Sequence, residues 1–255
     1  MKKRIDDLTI IKNQKISNNF FILEAVSKTP LPEIAPGQFL QARVDNSADS
    51  FLRIPLSVHD VDYAANSIKI LVQVVGLGSE RLSALKTGEK INLIYPLGNS
   101  FTLPFRGEKV LLAGGGCGMA PLLYLARKSK EAGADVSVAL GFRNRERILD
   151  YSTFETIGTV YLATEDGSVG TSGFITDIAA FREVNWDRVY CCGPEPMMKS
   201  IARECKARGL LCEVSLENLM ACGIGACLCC VVNTVSGHVC TCTDGPVFNT
   251  KTLLW

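Results

Sequence analysis

The sequence predicts a β + α/β protein, with an N-terminal antiparallel β-barrel over residues 1–105, a parallel α/β domain over 106–212 and a short cysteine-rich segment over 213–255. Three observations predict this order. Short alternating or β-branched runs, separated by turn residues, continue to Phe105. From Gly107 onward strand and helix patterns alternate. Six of the 11 cysteines then lie between Cys222 and Cys242. A chain of 255 residues has room for two compact domains and a sizeable core.

The composition excludes several classes of protein. Apolar residues make up 47% and charged residues 21%, and 27 basic against 26 acidic side chains leave a formal charge of +1. A disordered or polyelectrolyte chain does not fit these values, and no nucleic-acid partner is suggested. Neither of the two longest apolar windows, 110–126 and 220–232, reaches the ~18–20 uninterrupted apolar residues of a membrane span.

The N-terminus and the cysteine count predict the compartment. Asp6 and Asp7 interrupt the basic start before any apolar stretch, so we expect no secretory signal and a cytoplasmic location. An odd number of cysteines in such a chain indicates thiols used for metal or redox chemistry rather than a disulfide framework.

The barrel strands are predicted from four apolar runs. They are FFILEAV at 20–26, FLQARV at 39–44, SIKILVQVV at 67–75 and KINLIY at 90–95. KTGEK at 86–90 is a polar turn, and PLGNSF at 96–101 is a loop rich in turn residues.

The α/β domain is predicted from strand patterns and helix patterns that alternate along the chain. The strands are KVLLAGG, DVSVALGF, TVYLAT and RVYCCG, and the helices are APLLYLARKSKEAG, a segment around TSGFITDIAAF, and PEPMMKSIARECKARG. This alternation is typical of a parallel sheet with helices on its faces. After LLCEVSLE the charge density falls, and only Glu213, Glu217, Asp244 and Lys251 are charged in the last 43 residues.

A glycine loop joins the first strand of this domain to its first helix. Gly114, Gly115, Gly116 and Gly118 precede a helix that begins near Ala120-Pro121, with proline where its missing N–H costs nothing. Such a turn presents backbone N–H groups and a positive helix end to a phosphate. The spacing G-x-G-x-G differs from the usual fingerprint, so a tight turn without a ligand remains open. Cys192-Gly193-Pro194 ends a later strand of the same sheet, at the edge where open α/β sheets bind ligands.

The cysteine-rich segment carries the most specific spacing. Cys222, Cys227, Cys230 and Cys242 read C-x4-C-x2-C-x11-C, and the first two spacings are those of plant-type [2Fe-2S] sites. A zinc site is the rival, but its second pair would need Cys240 and Cys242 with a one-residue gap. The spacing therefore favours an iron–sulfur cluster. Cys229 and Cys240 are ambiguous, because each lies near a proposed ligand.

The order of these motifs resembles a known superfamily. A barrel followed by GGGCGMAP (114–121), TEDGSVG (164–170) and CGPEPM (192–197) is similar to the ferredoxin-NADP reductase superfamily. The resemblance implies that residues 114–118 wrap the pyrophosphate of a nicotinamide dinucleotide. It also implies that the turn at Cys192, Gly193 and Pro194 lies against the nicotinamide.

The same resemblance implies FAD in the barrel. FLRIPLSV at 51–58 looks like the flavin motif of an Arg, two residues and then Ser or Thr, although Ile54 occupies the arginine position and Arg53 lies one place early. LVQVVGLGSERL at 71–82 resembles the glycine stretch of the superfamily, and PLGNSF also matches. The implied FAD-binding residues are Arg53, Ile54, Pro55, Leu56, Ser57, Leu71, Val72, Gln73, Gly78 and Ser79.

The C-terminal segment narrows the resemblance to one family. SLENLMACGIGACLCC followed by CTCTDGPVF is very similar to the electron transfer subunits of two-subunit, NAD-linked dihydroorotate dehydrogenases. The spacing of the family's fourth ligand from DGPVF selects Cys242 over Cys240. The family implies FAD, a [2Fe-2S] cluster and NAD, and a heterotetramer with an FMN-containing catalytic subunit, two copies of each. The apolar segment would form part of that interface.

The sequence suggests no separate active site for an organic substrate in this chain. His59 and His238 are its only histidines, and neither a triad nor a paired-carboxylate pattern is present, so both histidines are expected to have core or surface roles. Three alternatives stay open. They are a flavin and iron–sulfur reductase subunit that serves another oxidoreductase, a non-catalytic regulatory subunit with a zinc-bound tail, and NADP in place of NAD through Arg143.

Overall fold

The computed structural model describes residues 3–45, 51–149 and 151–255. Residues 46–50, which belong to the predicted barrel, lie outside the described residues. The described chain forms two seven-stranded sheets and one two-stranded hairpin. None of the helices in the described ranges is long and apolar enough to cross a membrane.

The first sheet is antiparallel throughout and occupies the N-terminal part of the chain. Its strands are β1 (Arg4–Lys15), β2 (Phe20–Val26), β3 (Phe39–Ala42), β4 (Ile54–Ser57), β5 (Asp60–Asp62), β6 (Ser67–Gln73) and β7 (Lys90–Leu97), in the order β4-β3-β7-β1-β2-β6-β5. Helix α1 (Leu77–Ser83) connects β6 to β7. Side chains that alternate along these strands, such as Leu8 and Ile10, fill the core between them.

The second sheet begins at β8 (Lys109–Gly115). It continues with β9 (Asp135–Phe142), β10 (Thr159–Thr164), β11 (Thr171–Ser172), β12 (Arg188–Cys192) and β13 (Leu211–Ser215), which are parallel and arranged in the order β11-β10-β9-β8-β12-β13. The accompanying helices are α2 (Leu122–Glu131), α3 (Ser152–Glu155), α4 (Ala179–Glu183) and α5 (Glu195–Ala207). Strands β8 and β9 are buried along almost their whole length, because helices cover both faces.

The C-terminal segment returns to the second sheet. It contains a hairpin of β14 (Val231–Thr234) and β15 (Gly237–Cys240), followed by β16 (Val247–Asn249), which pairs antiparallel with β13. Phe248 and Leu253 enter the core that lies between the sheet and α5. The predicted fold class is confirmed. The sheet has three strands beyond the four that the sequence predicts, namely β11, β13 and β16, and β16 comes from the cysteine-rich segment.

The two sheets are joined by polar contacts as well as by packing. The Tyr124 hydroxyl of α2 donates to the Ile34 carbonyl at 3.0 Å, and Arg127 Nη2 donates to Asp60 Oδ1 at 2.6 Å. Tyr190 of β12 donates to the Thr102 carbonyl at 2.7 Å. Helix α2 and strand β12 are thereby connected to the barrel and to the segment that follows it.

Candidate functional site

The glycine loop and the Cys192-Gly193-Pro194 turn meet at one edge of the parallel sheet. Gly114 of β8 is in register with Cys192 of β12, so the two segments leave the sheet side by side. A Cβ on Gly118 would lie 2.1 Å from the Cys192 carbonyl oxygen. A Cβ on Gly115 would lie 2.6 Å from Met197 Sδ. The Gly118 approach requires glycine because it is made to backbone atoms, whereas the Met197 side chain can shift away from position 115.

A 3-10 turn, Gly116–Met119, leads from the loop into α2. Gly116 adopts a φ of +53°, in the left-handed region that favours glycine. Pro121 directly precedes the helix, close to the predicted start. The arrangement of strand, glycine turn and helix N-terminus that can bind a phosphate is therefore present.

A carboxyl group that the sequence analysis did not single out lies beside this turn. Cys192 Sγ donates a hydrogen bond to Glu217 Oε1 at 3.8 Å. Burial of the carboxyl raises the pKa of Glu217, although the residue as a whole is exposed. Burial also raises the pKa of the Cys117 thiol to about 12, and the Glu217 carboxylate adds to that shift. Glu217 is one of four charges in the tail, which is the signal that could have identified it.

Strand β4 carries the predicted flavin motif. It pairs with β3 so that Pro55 opposes Gln41 and Ser57 opposes Phe39. Ile54 and Leu56 are half-buried against the barrel core. Residues 54–57 of the motif therefore form a regular strand. β4 also contacts β6, which contains the predicted FAD-binding residues Leu71, Val72 and Gln73.

Arg53 lies in the barrel rather than free at the surface. Its Nη2 donates to Asn92 Oδ1 at 2.6 Å, and its Nη1 donates to the carbonyl oxygens of Asn92 and Gln41 at 3.1 and 3.2 Å. The guanidinium therefore joins β4 to β3 and β7, and part of its donor capacity is used within the barrel.

The second flavin segment forms a turn that Ser79 organises. Ser79 Oγ accepts hydrogen bonds from the Val75 and Gly76 amides at 2.9 and 3.1 Å and donates to the Gly76 carbonyl at 2.9 Å. Val75 and Leu77 project from this turn with 79% and 60% of their surface exposed. Exposed apolar side chains next to β6 suit the binding of a large planar ring system.

The four predicted cluster cysteines lie in one loop region. Backbone amides donate to three of the sulfurs: Ile224 and Ala226 to Cys222 Sγ at 3.4 and 3.3 Å, Gly225 to Cys242 Sγ at 3.2 Å, and Cys242 to Cys230 Sγ at 3.4 Å. The hydrogen bond from the Ile224 amide is the main reason that the pKa of Cys222 is lowered to about 6. Amides turned toward sulfur stabilise thiolates, which are the form that binds metal.

The thiols are arranged in two pairs. Cys222 is within hydrogen-bonding reach of Cys227, and Cys242 is within reach of Cys230. Across the ranges that the structure describes, no three potential ligands converge as a single metal ion would require. Four neighbouring thiolates are the ligand requirement of a [2Fe-2S] cluster, so the donor set fits that group.

Cys229 and Cys240 lie beside this set. Cys229 is exposed, and its thiol donates to the Leu219 carbonyl at 3.8 Å. Cys240 also lies close to Cys230, and its amide donates to Asp244 Oδ2 at 3.0 Å. Cys242 differs from Cys240 because it is buried and accepts the Gly225 amide from the opposite side of the loop.

The cysteine loop packs on the barrel. Cys230 and Cys242 share a small core with Phe39 of β3 and Leu97 of β7. Asn99 in the PLGNSF loop donates through its side chain to the Asp244 carbonyl and through its backbone to the Gly245 carbonyl, each at 2.5 Å. The DGPVF motif therefore fixes the tail against the barrel loop, while its final residues form β16.

Gln41 is a further residue at this boundary that the sequence analysis did not identify. It is fully buried, and neither polar atom of its side chain has a hydrogen-bond partner. A Cβ on Gly223 would lie 2.6 Å from Gln41 Nε2, so this amide touches the loop directly after Cys222. The residue gives no signal in the sequence, because its role depends on a contact between distant segments.

Comparison with known proteins agrees with this geometry. Residues 217–254 match the family model described as the iron-sulfur cluster binding domain of dihydroorotate dehydrogenase B. The chain is 38% identical over 254 residues to the dihydroorotate dehydrogenase B (NAD+) electron transfer subunit of Shouchella clausii, with 97% of each chain covered. It is 37% identical over 248 residues to the same subunit of a Geobacillus species, with 95% of this chain and 96% of the relative covered.

Two solved structures show the same architecture. One is described as the structure of an NADH-dependent reduced ferredoxin-NADP oxidoreductase that gives insights into flavin-based electron bifurcation. It has a TM-score of 0.88 at 33% identity and covers 97% of this chain and 90% of that chain. The ferredoxin reductase in carbazole 1,9a-dioxygenase shares the fold, with a TM-score of 0.70 at 20% identity, covering 82% of this chain and 67% of that chain.

A barrel joined to a parallel sheet, with neighbouring thiols on the barrel flank, defines a protein of the ferredoxin-reductase fold. Sequence identity to the two relatives over nearly the full length then identifies the family. The chain belongs to the family of dihydroorotate dehydrogenase B (NAD+) electron transfer subunits. The resemblance carried by the motifs is thereby confirmed, and so is the prediction of an iron–sulfur binding segment at the C-terminus.

Proposed function

We propose that this chain relays electrons from dihydroorotate oxidation to NAD+ as the electron transfer subunit of a dihydroorotate dehydrogenase. The observation that carries this function is the 38% identity to the Shouchella clausii subunit over 97% of the chain. Electrons enter from the FMN of a separate catalytic subunit and leave as hydride on NAD+, with the [2Fe-2S] cluster and FAD of this chain between them. A nicotinamide exchanges hydride, a cluster exchanges single electrons and a flavin can do both.

Each predicted site residue binds a cofactor in this proposed function. The glycine loop and the turn at Cys192, Gly193 and Pro194 bind the dinucleotide, a role supported by their close approach at the sheet edge, where Gly118 lies against the Cys192 carbonyl. The β4 motif and the β6 segment with its Ser79 turn bind FAD. Cys222, Cys227, Cys230 and Cys242 hold the cluster, supported by their pairing and by the amides that donate to their sulfurs.

The proposed functional division follows the predicted boundaries. Residues 1–105 bind FAD, 106–212 bind NAD and 213–255 bind the cluster. The change from the first to the second sheet falls between Leu97 and Lys109, which supports the first proposed boundary. The third unit is a functional segment that also packs on the other two, through Asn99 and through β16.

An apolar surface beside the cysteine loop supports the proposal that the chain binds a partner protein. Leu219, Ile224 and Leu228 have 87%, 49% and 64% of their surface exposed, and all three lie within or next to the ligand loop. A cluster must approach its redox partner closely, and a patch of this kind marks association. The proposed assembly is a cytoplasmic heterotetramer with two FMN-containing catalytic subunits. Neither nucleic acid nor a membrane takes part in it.

A second candidate function is a reductase subunit with the same cofactors that serves another oxidoreductase. The similarity to the NADH-dependent reduced ferredoxin-NADP oxidoreductase, with a TM-score of 0.88 at 33% identity, favours this alternative more than the other fold neighbours do. Co-purification with a dihydroorotate-oxidising subunit, and NADH formation from dihydroorotate by the pair, would distinguish the two functions.

The relay is tested by low-temperature EPR of the anaerobically purified complex before and after NADH, with iron and flavin counted on the same sample. We expect a rhombic [2Fe-2S] signal to appear with NADH, because dinucleotide, flavin and cluster form one connected path. Cys242→Ser should lose most of the iron, and Cys240→Ser should retain it as the matched control. Zinc in place of iron, or a signal that NADH does not produce, would contradict the proposal.

A further inference from the structure

Gln41 carries a buried side-chain amide that has no partner within the protein. Its surface is fully covered, yet neither Nε2 nor Oε1 makes a hydrogen bond. Buried amides in native proteins are nearly always hydrogen-bonded, because desolvation without compensation is costly. Gln38, three residues earlier and equally buried, accepts from the Ala35 amide at 2.8 Å and donates to the Gly98 carbonyl at 2.8 Å. The contrast indicates that Gln41 serves a group outside the polypeptide.

The direction of the Gln41 side chain is fixed by the strand. Gln41 and Phe39 are two positions apart on β3 and so point to the same face. Phe39 packs against Cys230 and Cys242 on that face. Gly223, which follows the ligand Cys222, leaves room for the Gln41 amide only because it has no side chain, and its φ of +69° also favours glycine. The unpartnered amide therefore faces the cysteine loop.

We propose that the Gln41 side-chain amide donates a hydrogen bond to a sulfur atom of the [2Fe-2S] cluster and raises the reduction potential of that cluster. The inference rests on the proposed cluster function. Reduction adds negative charge to the cluster, and an N–H donor stabilises that added charge. The backbone amides of the loop already donate to cysteine sulfurs, and Gln41 adds a donor from the barrel.

Strand β3 lies between the cysteine loop and the strand that carries the predicted flavin motif. β3 pairs with β4, so Gln41 lies directly opposite Pro55 of the predicted flavin motif. The same strand thus touches the cysteine loop with the side chains of Phe39 and Gln41 and the predicted flavin-binding strand with its backbone. A residue at this position can adjust the driving force of the step between the two redox centres.

The test is a redox titration of the holo-complex followed by EPR, for wild type and Gln41→Leu. We expect Gln41→Leu to keep its iron and to titrate at a more negative potential. The expected size is about a tenfold lower ratio of reduced to oxidised cluster at a fixed ambient potential, which is about 59 mV for one electron. The g-values of the reduced cluster should also shift. Gln41→Met supplies a second apolar variant of similar length if the Leu variant loads poorly.

Gln38→Leu is the matched control. Because the Gln38 amide is satisfied within the barrel, its removal should lower the melting temperature and leave the cluster potential unchanged. Potentials and g-values in Gln41→Leu and Gln41→Met equal to those of wild type would overturn the inference while leaving the relay intact. Wild-type protein that carries zinc and no iron would instead overturn the proposed function, so the two failures are distinguishable.

Discussion

Gly118 lies where the glycine loop touches the turn after β12, and the contact leaves no space for a side chain. A Cβ there would lie 2.1 Å from the Cys192 carbonyl oxygen and 2.5 Å from Gly193 Cα. We expect Gly118→Ala to separate the two segments, at a cost of about 1–3 kcal/mol from overpacking. NADH-driven bleaching of the flavin should fall strongly, because both segments are proposed to hold the dinucleotide. Stopped-flow absorbance and thermal unfolding measure the two effects.

Gly88→Ala provides the control for backbone strain. Gly88 has a φ of +93°, but a Cβ there would meet nothing within 4 Å and the turn is far from the sheet edge. This variant should lose stability through strain alone and keep the wild-type rate of flavin bleaching. If Gly118→Ala bleached as fast as Gly88→Ala, the close approach would have no part in dinucleotide binding.

Single residues differ in how far the sequence predicts them. The proposed cysteine ligand set could be predicted because its members are close along the chain and their spacing is typical of a [2Fe-2S] site. Gln41 has no such signal, and Glu217 is distinguished in the sequence only by being one of four charges in the tail. Their roles depend on contacts with Gly223 and Cys192, which only the folded chain brings to them.

At the scale of elements, burial determines which strands can be predicted from the sequence. Strands β8 and β9 have the predicted bounds within one residue, because buried parallel strands form continuous apolar runs. β1 was not predicted because charged residues interrupt its alternation, and β4 was not predicted because it has four residues, one of them Pro55. The segment around 171–181 was predicted as a helix, but it forms the short strand β11, a 3-10 turn and the start of α4, since Gly173 adopts a φ of +110°.

The docking of the tail on the PLGNSF loop is an element-scale property that can be tested. Asn99→Ala removes the side-chain hydrogen bond to the Asp244 carbonyl, which contributes about 0.5–1.5 kcal/mol. We expect faster amide hydrogen exchange in β16 and in the Cys242 region, with little change in the parallel strands. Asn13→Ala is the control, because Asn13 also donates to two carbonyls, of Ser83 and Leu85, away from the tail. Equal exchange at β16 in both variants would mean that Asn99 does not hold the tail.

At the scale of the whole molecule, His59 links the barrel to the half that contains the parallel sheet. The ring is buried, and its Nδ1 lies 2.7 Å from the Ala120 carbonyl oxygen, just before α2. Because a carbonyl only accepts, Nδ1 carries the proton in the neutral ring. Burial lowers the pKa of His59, with Asp60 opposing and Lys69 reinforcing the shift. The folded protein therefore holds the ring neutral at a pH where the unfolded chain binds a proton.

This linkage fixes the sign of a pH effect on stability. The contribution of the neutral ring is complete above the ordinary histidine pKa of 6.5 and is lost as the pH falls below it, by up to about 1.4 kcal/mol per pH unit. His59→Asn keeps a donor near the Nδ1 position and cannot titrate, so its unfolding free energy should fall less than that of wild type between pH 7.5 and about 5.5. Denaturant unfolding at both pH values measures the difference. His238→Asn, at the exposed second histidine, should retain the wild-type slope. Parallel pH profiles for wild type and His59→Asn would show that the joint between the two halves does not depend on a neutral His59.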